Sequence, residues 1–238
     1  MSENTLLVAT TNPGKAKEIQ TFLSSLKVKV FSLCDIQLEP SYPEDKETFI
    51  ENARGKSLFY SGFWPGLTLA EDSGLEIKHL KGAPGVLSAR FSGPQATDEK
   101  NIQKVLNLMK GVPFERRKAR FVSAVVLSKK KEILKEVEEW AEGFITFEKK
   151  GRSGFGYDPI FFYPPLDKTF AELRPEEKNK VSHRGRALEK LKAYLGQLRG
   201  GIRTDGSRPY YGNIVSLVHK ATSSFSGCVF ESEEQARH

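Results

Sequence analysis

The chain has 238 residues, 38% of them hydrophobic and 28% charged, which is the composition of an ordinary soluble protein long enough to bury a core in one domain or two closely packed lobes. No run approaches the ~18 apolar residues that span a bilayer, and no basic-then-apolar leader is present, so we expect a cytoplasmic protein whose two far-separated cysteines, Cys34 and Cys228, are free thiols. The net charge of +7 points to an acidic partner, which charge alone leaves open as nucleic acid, a membrane surface or a phosphorylated small molecule.

Leu6 to Ala9 reads as a short apolar strand. It runs through Thr10 and Thr11 into a helix that Asn12 can cap and Pro13 can start, since the first helical position needs no N–H. Ile19, Phe22, Leu23 and Leu26 recur on one helical face. Free N–H groups at the positive end of that helix, with the Thr10 and Thr11 hydroxyls, Gly14 and the Lys15 ammonium beside them, make a site for phosphate. It is not a Walker loop, because Ala9 stands where the first glycine should be and Ala16 follows Lys15. Val28 to Phe31 follows as a second strand, and Asp35 to Asp45 as an acidic, proline-marked loop. A helix from about Glu47 to Tyr60 has Ile50, Ala53 and Ser57 on one side. Leu67 to Ala70 is a short strand ending in Glu71-Asp72-Ser73-Gly74, Lys81 to Pro94 a loop shaped by glycine and proline, and Thr97 to Lys110 an amphipathic helix.

Ala119 to Ser128 is apolar on both faces and reads as a central strand, with Ile133 to Trp140 and Gly143 to Phe147 as antiparallel neighbours and Lys129-Lys130-Lys131 as an exposed hairpin tip. The sheet is therefore mixed. Leu188, Leu191, Leu195 and Leu198 define a late helix beginning just beyond Ser182-His183-Arg184-Gly185. In the tail that follows, Asn213 to His219 reads as an edge strand and Glu231 to His238 as frayed.

Glu44, Glu47, Glu51, Glu71 and Asp72 are hard oxygen donors on two segments that can face each other, which suits Mg²⁺ shared with a substrate phosphate. Glu71 and Asp72 stand out, because ligands of open α/β sheets bind beyond the carboxyl ends of strands and adjacent carboxylates call for a cation. Such an ion polarises a phosphoryl oxygen, and a carboxylate beside it can deprotonate water. Phe155-Gly156-Tyr157-Asp158-Pro159 joins flat aromatic faces to glycines that admit a ligand to the backbone, fit to stack a base. Ser182-His183-Arg184-Gly185, with Lys178 and Lys180 before it, is a donor-rich cationic helix start suited to an oxo group or phosphate.

Taken in order, Ala9-Thr10-Thr11-Asn12-Pro13-Gly14-Lys15, Thr48-Phe49-Ile50-Glu51-Asn52-Ala53, Glu71-Asp72-Ser73-Gly74-Leu75, Gly82-Ala83-Pro84-Gly85-Val86, Ser88-Ala89-Arg90, Gly154-Phe155-Gly156-Tyr157-Asp158-Pro159 and Ser182-His183-Arg184-Gly185 resemble the inosine triphosphate pyrophosphatase family, from about Leu6 to Leu198. The resemblance implies a two-lobed α/β fold around a long twisted mixed sheet flanked by helices. It further implies a homodimer and Mg²⁺-dependent hydrolysis of non-standard purine nucleoside triphosphates (dITP, ITP, XTP) to monophosphate and pyrophosphate, with neither a membrane nor a stable nucleic-acid partner. Carried over by position, Thr10, Thr11, Asn12, Pro13, Gly14 and Lys15 hold the triphosphate, Asp72 is catalytic base and metal carboxylate, and Ser73 contacts substrate. Phe155, Gly156, Tyr157, Asp158, Lys178, His183 and Arg184 enclose the nucleotide, chiefly its base. Glu44 matches a second metal carboxylate, although Lys46 replaces a common glycine, which leaves Glu39 or Glu47 as alternatives. On this reading residues 1–198 form the catalytic domain and 199–238 an extension of open role. Two competitors remain: a basic nucleic-acid-binding module, which leaves the carboxylates unexplained, and a related hydrolase of modified pyrimidine triphosphates.

Overall fold

The computed structural model describes residues 5–200, apart from 27, 37, 39 and 40. The expected strand at 213–219, the frayed end at 231–238, Cys228, the alternative carboxylate Glu39 and all of the extension beyond residue 200 lie outside the described residues.

One seven-stranded sheet organises these residues in the order β2-β1-β3-β4-β5-β6-β7. The strands are β1 (Thr5–Ala9), β2 (Lys29–Ser32), β3 (Leu67–Ile77), β4 (Lys118–Lys129), β5 (Glu132–Ile145), β6 (Phe161–Tyr163) and β7 (Lys168–Thr169). β1 pairs in parallel with both β2 and β3, and every later pairing is antiparallel, so the sheet is mixed as expected. Parallel neighbours need crossover connections, and α1 (Pro13–Leu23) and α2 (Phe49–Ser61) supply them. The antiparallel pair β4–β5 needs only the two-residue tip Lys130-Lys131, both at positive φ (50° and 64°).

Two halves of the sheet carry separate cores. In the first, Ile19 and Leu23 of α1 pack with Leu6, Val8, Leu69, Val125 and Leu127 against Ala187, Leu188, Leu191 and Leu195 of α5 (His183–Gly200). On the opposite face α2 lays Phe49 and Ala53 over Val122, Ala124 and Val126. The second half gathers Leu75, Ile77, Phe121, Phe161 and Phe170 around Ile102, Val105 and Met109 of α3 (Asp98–Leu108) and the segment just after it. Fully buried Arg117 closes this half, donating to the carbonyls of Met109, Val112, Ile145 and Thr146.

Three expectations need correction. Ile133 to Trp140 and Gly143 to Phe147 belong largely to the single strand β5, because a side chain at Gly143 would meet the Phe161 ring at 2.7 Å and glycine lets the backbones close up. The strand expected to stop at Ala70 continues to Ile77. Its parallel partner β1 ends at Ala9, opposite Ala70, but β4 keeps pairing as far as Ala119 opposite Ile77. The last helix begins at His183, not beyond Gly185, and the short α4 (Pro175–Val181) precedes it. Ser182 separates the two in extended conformation, and its Oγ accepts from Gly185 N at 3.1 Å.

Candidate active site

The early end of β1 leaves a cleft of about 650 Å³ over the middle of β3. Of the site residues expected from sequence, Thr10, Thr11, Asn12, Lys15, Glu44, Asp72, Ser73, Phe155, Gly156, Tyr157, Asp158, Lys178, His183 and Arg184 all line it. Pro13 and Gly14 do not. They shape the wall instead: Pro13 starts α1, and a methyl at Gly14 would stand 2.8 Å from the Phe155 ring, so glycine there lets the ring lie against the helix start. Asn12 is the cap, its Oδ1 accepting from Lys15 N at 3.0 Å, while Asn12 N donates to Thr10 Oγ1 at 3.2 Å.

Side chains alternate across a strand, and this separates the adjacent carboxylates of β3. Glu71 and Ser73 share the face with Ser123 and Arg184, whereas Asp72 shares the α2 face with Ala124. Glu71 is a buried counterion. It accepts from Ser123 Oγ at 2.9 Å and Arg184 Nε at 3.0 Å, with Lys15 Nζ 3.4 Å away. Burial alone would raise its carboxyl, but Arg184 and Lys15 outweigh that and hold it far below the ordinary range.

Around it runs a chain of alternating charge. Arg184 also pairs with Glu18, and Glu18 with Lys178 at 2.8 Å. Lys178 in turn reaches Asp158 at 2.5 Å, and Asp158 takes Phe155 N at 2.9 Å. Burial pushes the Asp158 carboxyl up against the pull of Lys178, while at Glu18 the two cations win over burial and lower it. His183 is stacked on Phe121 with ring centroids 4.6 Å apart, and its buried Nδ1 has no partner among the described residues. Burial, reinforced by Arg184, pushes its pKa well below the usual value, so the imidazole is neutral.

On the other face, Asp72 Oδ1 accepts from Ser73 N at 2.9 Å, but buried Oδ2 has no partner among the described residues. Burial raises this carboxyl; Lys15 and Lys56 oppose the rise, and Glu44 and Glu71 add to it. Lys56 projects from α2 and is ion-paired with Glu44. The Glu44 loop is itself held: Asn52 accepts from Lys46 N at 3.0 Å and donates to Lys46 O at 3.3 Å, and the absence of a side chain at Gly55 leaves room for the Tyr42 ring. Glu47 and Glu51 do not line the cleft, and Glu51 accepts from Thr48 Oγ1 at 2.6 Å beside the α2 cap.

Mg²⁺ commonly takes one or two carboxylates, several waters and phosphate oxygens. The orphaned Asp72 Oδ2 and the Glu44 carboxylate in the same cleft fit that donor set. No group of three or more His, Cys, Asp or Glu placed to hold a metal exists among the described residues.

Several lining residues escaped the sequence reading. Lys56 lines the cleft and Glu18 stands behind it, paired to two of the lining cations; both carried a signal, since Glu18 lies one turn from Lys15 and Lys56 one turn beyond Asn52. Asp98, which accepts from Gly156 N at 2.7 Å, carried none, since it meets the aromatic turn only through the fold, whereas Ser88, whose carbonyl accepts from Tyr157 Oη at 2.8 Å, stood in the Ser88-Ala89-Arg90 block with no role of its own.

The sequence profile of the Ham1 family matches residues 6–194. A dITP/XTP pyrophosphatase of Bacillus subtilis is 46% identical over 189 residues, which is 79% of this chain and 96% of that protein. One of Thermoanaerobacter pseudethanolicus is 44% identical over 191 residues, 80% of this chain and 96% of that protein. Among solved structures, the Staphylococcus aureus Ham1 protein is similar with a TM-score of 0.72 at 35% identity, over 81% of this chain and 98% of that one. A HAM1 protein from Coxiella burnetii gives a TM-score of 0.72 at 38% identity, over the same shares of 81% and 98%.

Proposed function

Because the chain belongs to the Ham1 family, we infer that it is a nucleoside triphosphate pyrophosphatase, hydrolysing dITP, ITP and XTP to the monophosphate and pyrophosphate. The observation that carries the chemistry is the buried oxygen of Asp72, without a partner among the described residues, in the same cleft as the Asn12–Lys15 helix start. A carboxyl raised by burial is a better base than an exposed one, so Asp72 orients water and takes its proton as the water attacks the α-phosphorus. Thr10, Thr11, Asn12 and Lys15 neutralise and hold the polyphosphate, on the helix start built by Pro13 and Gly14. Lys56 adds a second ammonium, and Ser73 offers its hydroxyl. Asp72 and Glu44 hold Mg²⁺, which when bound polarises the phosphoryl oxygens.

The base lies with the aromatic turn, against Phe155, Gly156, Tyr157, Asp158, Lys178, His183 and Arg184. The ion pairs of Lys178 and Arg184 fix both cations in place, so their remaining donors meet a 6-oxo acceptor and cannot turn to suit an amino group. An adenine amino group leaves such donors unpaired at a cost of ~1–3 kcal/mol, which disfavours ATP. The reading includes a homodimer acting in the cytoplasm. Among the described residues no helix is long and apolar enough to cross a membrane.

A panel of ITP, dITP, XTP, ATP, GTP and pyrimidine triphosphates, with and without Mg²⁺ and with products identified, tests this. Pyrophosphate release from dITP and XTP, dependent on Mg²⁺ and far slower with ATP, is expected. Release of orthophosphate, or equal turnover of ATP, overturns it. A nucleic-acid role is disfavoured by the cleft itself, since Lys15, Lys56, Lys178 and Arg184 are all paired with carboxylates and form no open basic track.

A further inference from the structure

Five lysine and arginine side chains line the cleft: Lys15, Lys56, Arg90, Lys178 and Arg184. Four of them are ion-paired, Lys56 with Glu44 in the cleft and the others with carboxylates in or behind its wall. Arg90 is the exception: no carboxylate oxygen among the described residues lies within ion-pair distance of it. It ends the 3₁₀ turn Gly85–Arg90, and its Nη2 donates to the main-chain carbonyl of Glu44 at 2.6 Å. Its charge is felt weakly at Asp45, whose side chain is 62% exposed and already paired with Lys46 at 2.8 Å. A guanidinium held by one nitrogen keeps its other donors in a fixed fork, the geometry that receives two phosphate oxygens at once.

Its place gives the fork a particular target. The base-side cations Lys178 and Arg184 belong to the Glu71 face of β3, whereas Glu44, Lys56 and Asp72 belong to the opposite face. Lys15 pairs with Glu71 and also acts on Asp72, so it marks the crossing between the two. A nucleotide with its base at Phe155 and its α-phosphorus at Asp72 therefore runs its outer phosphates toward Glu44, and that is where Arg90 stands. We propose that Arg90 is a further ligand for the β- and γ-phosphates, joining the helix start and Lys56, binding the pyrophosphate leaving group and stabilising the charge that gathers on it as the α-phosphoryl bond breaks. This rests on the reaction assigned above and names a further residue that recognises its leaving group.

The test reads binding directly. Inorganic pyrophosphate, with the metal chelated, and IMP are each titrated calorimetrically into the wild-type protein and the variants Arg90→Gln and Arg90→Lys, with thermal melts verifying the fold. Arg90→Gln is expected to weaken pyrophosphate binding about 10- to 100-fold, the range for a hydrogen bond to a charged group. IMP binding should be unchanged and Arg90→Lys intermediate. Unaltered pyrophosphate affinity in Arg90→Gln overturns the proposal, as does equal weakening of IMP and pyrophosphate. If Arg90 served only to hold the Glu44 carbonyl, the variant would raise the Mg²⁺ requirement for turnover and leave metal-free pyrophosphate affinity intact; that outcome also overturns it. A wild-type protein that binds pyrophosphate through Arg90 but releases none from ITP overturns the assigned reaction and not this ligand.

Discussion

Asp72 contributes to function what it withholds from stability. Its carboxyl is buried, one oxygen has no partner among the described residues, and burial raises its pKa. A carboxyl raised in the folded state binds its proton more tightly there than in the unfolded chain. Above that raised pKa the folded protein therefore bears the cost of an ionised buried group. Asp72→Asn removes the cost together with the base. We expect turnover of dITP to fall by about 10²- to 10⁴-fold, and the thermal midpoint at pH 7 to rise. Mg²⁺ should stabilise the wild type and have little effect on the variant. A melt that drops on substitution, or an equal Mg²⁺ response in both proteins, contradicts the placement of the ion at Asp72. The Glu71-Asp72 pair was legible in the sequence as a concentration of charge after an apolar strand. Which carboxylate does what was not legible, because that depends on strand alternation through a segment whose polarity reads as a strand end.

Among the elements, the loop carrying Glu44 has little structure of its own and borrows its position from α2. Asn52 is fully buried and makes both hydrogen bonds to the Lys46 backbone, and Tyr42 packs where Gly55 leaves space. Asn52→Ala leaves both Lys46 backbone groups without these partners, a loss of about 1–3 kcal/mol. It also frees the loop. The Mg²⁺ concentration for half-maximal activity should then rise several-fold, with a smaller change in rate at saturating Mg²⁺. A titration of activity against Mg²⁺, paired with urea unfolding, checks both effects; loss of stability with an unmoved Mg²⁺ curve would separate the loop from the metal. Sequence periodicity found α1, α2 and α3, because each buries one regular face, and β4 was legible as a run apolar on both of its faces. It split β5 at Gly143, where a glycine reads as a break but serves a close strand approach, and it passed over α4, because seven residues are too few to display a period.

Across the whole of the described protein, the chain Asp158, Lys178, Glu18, Arg184, Glu71 and Lys15 ties α1, β3, α4 and α5 together in one buried network. Sequence gave most of its members but not their order, since the ion pairs join residues as far apart as Glu18 and Arg184. Glu18 and Glu71 are lowered in the folded state, so the stability they contribute is fully present above the ordinary glutamate value of 4.5 and is lost as the pH falls through their folded values. Asp72 and Asp158 are raised and work in the opposite sense, their ionisation weakening the fold as pH rises from 3.8 through their folded values. His183 acts first on acidification. It faces Arg184, Glu71, Lys178 and Lys15, and its folded pKa lies well below 6.5, so below that pH the unfolded chain takes up a proton that the folded protein refuses. Stability should therefore decline from pH 7 toward pH 5, at up to about 1.4 kcal/mol per pH unit from this group. His183→Phe keeps a ring against Phe121 and removes the titration. Urea unfolding of the wild type and of this variant at pH 7 and pH 5.5 isolates the histidine, since the carboxylate contributions are common to both and cancel in the difference. The wild type should lose more stability than the variant over that interval; equal losses would mean that the imidazole takes up its proton in the folded protein as readily as in the unfolded chain.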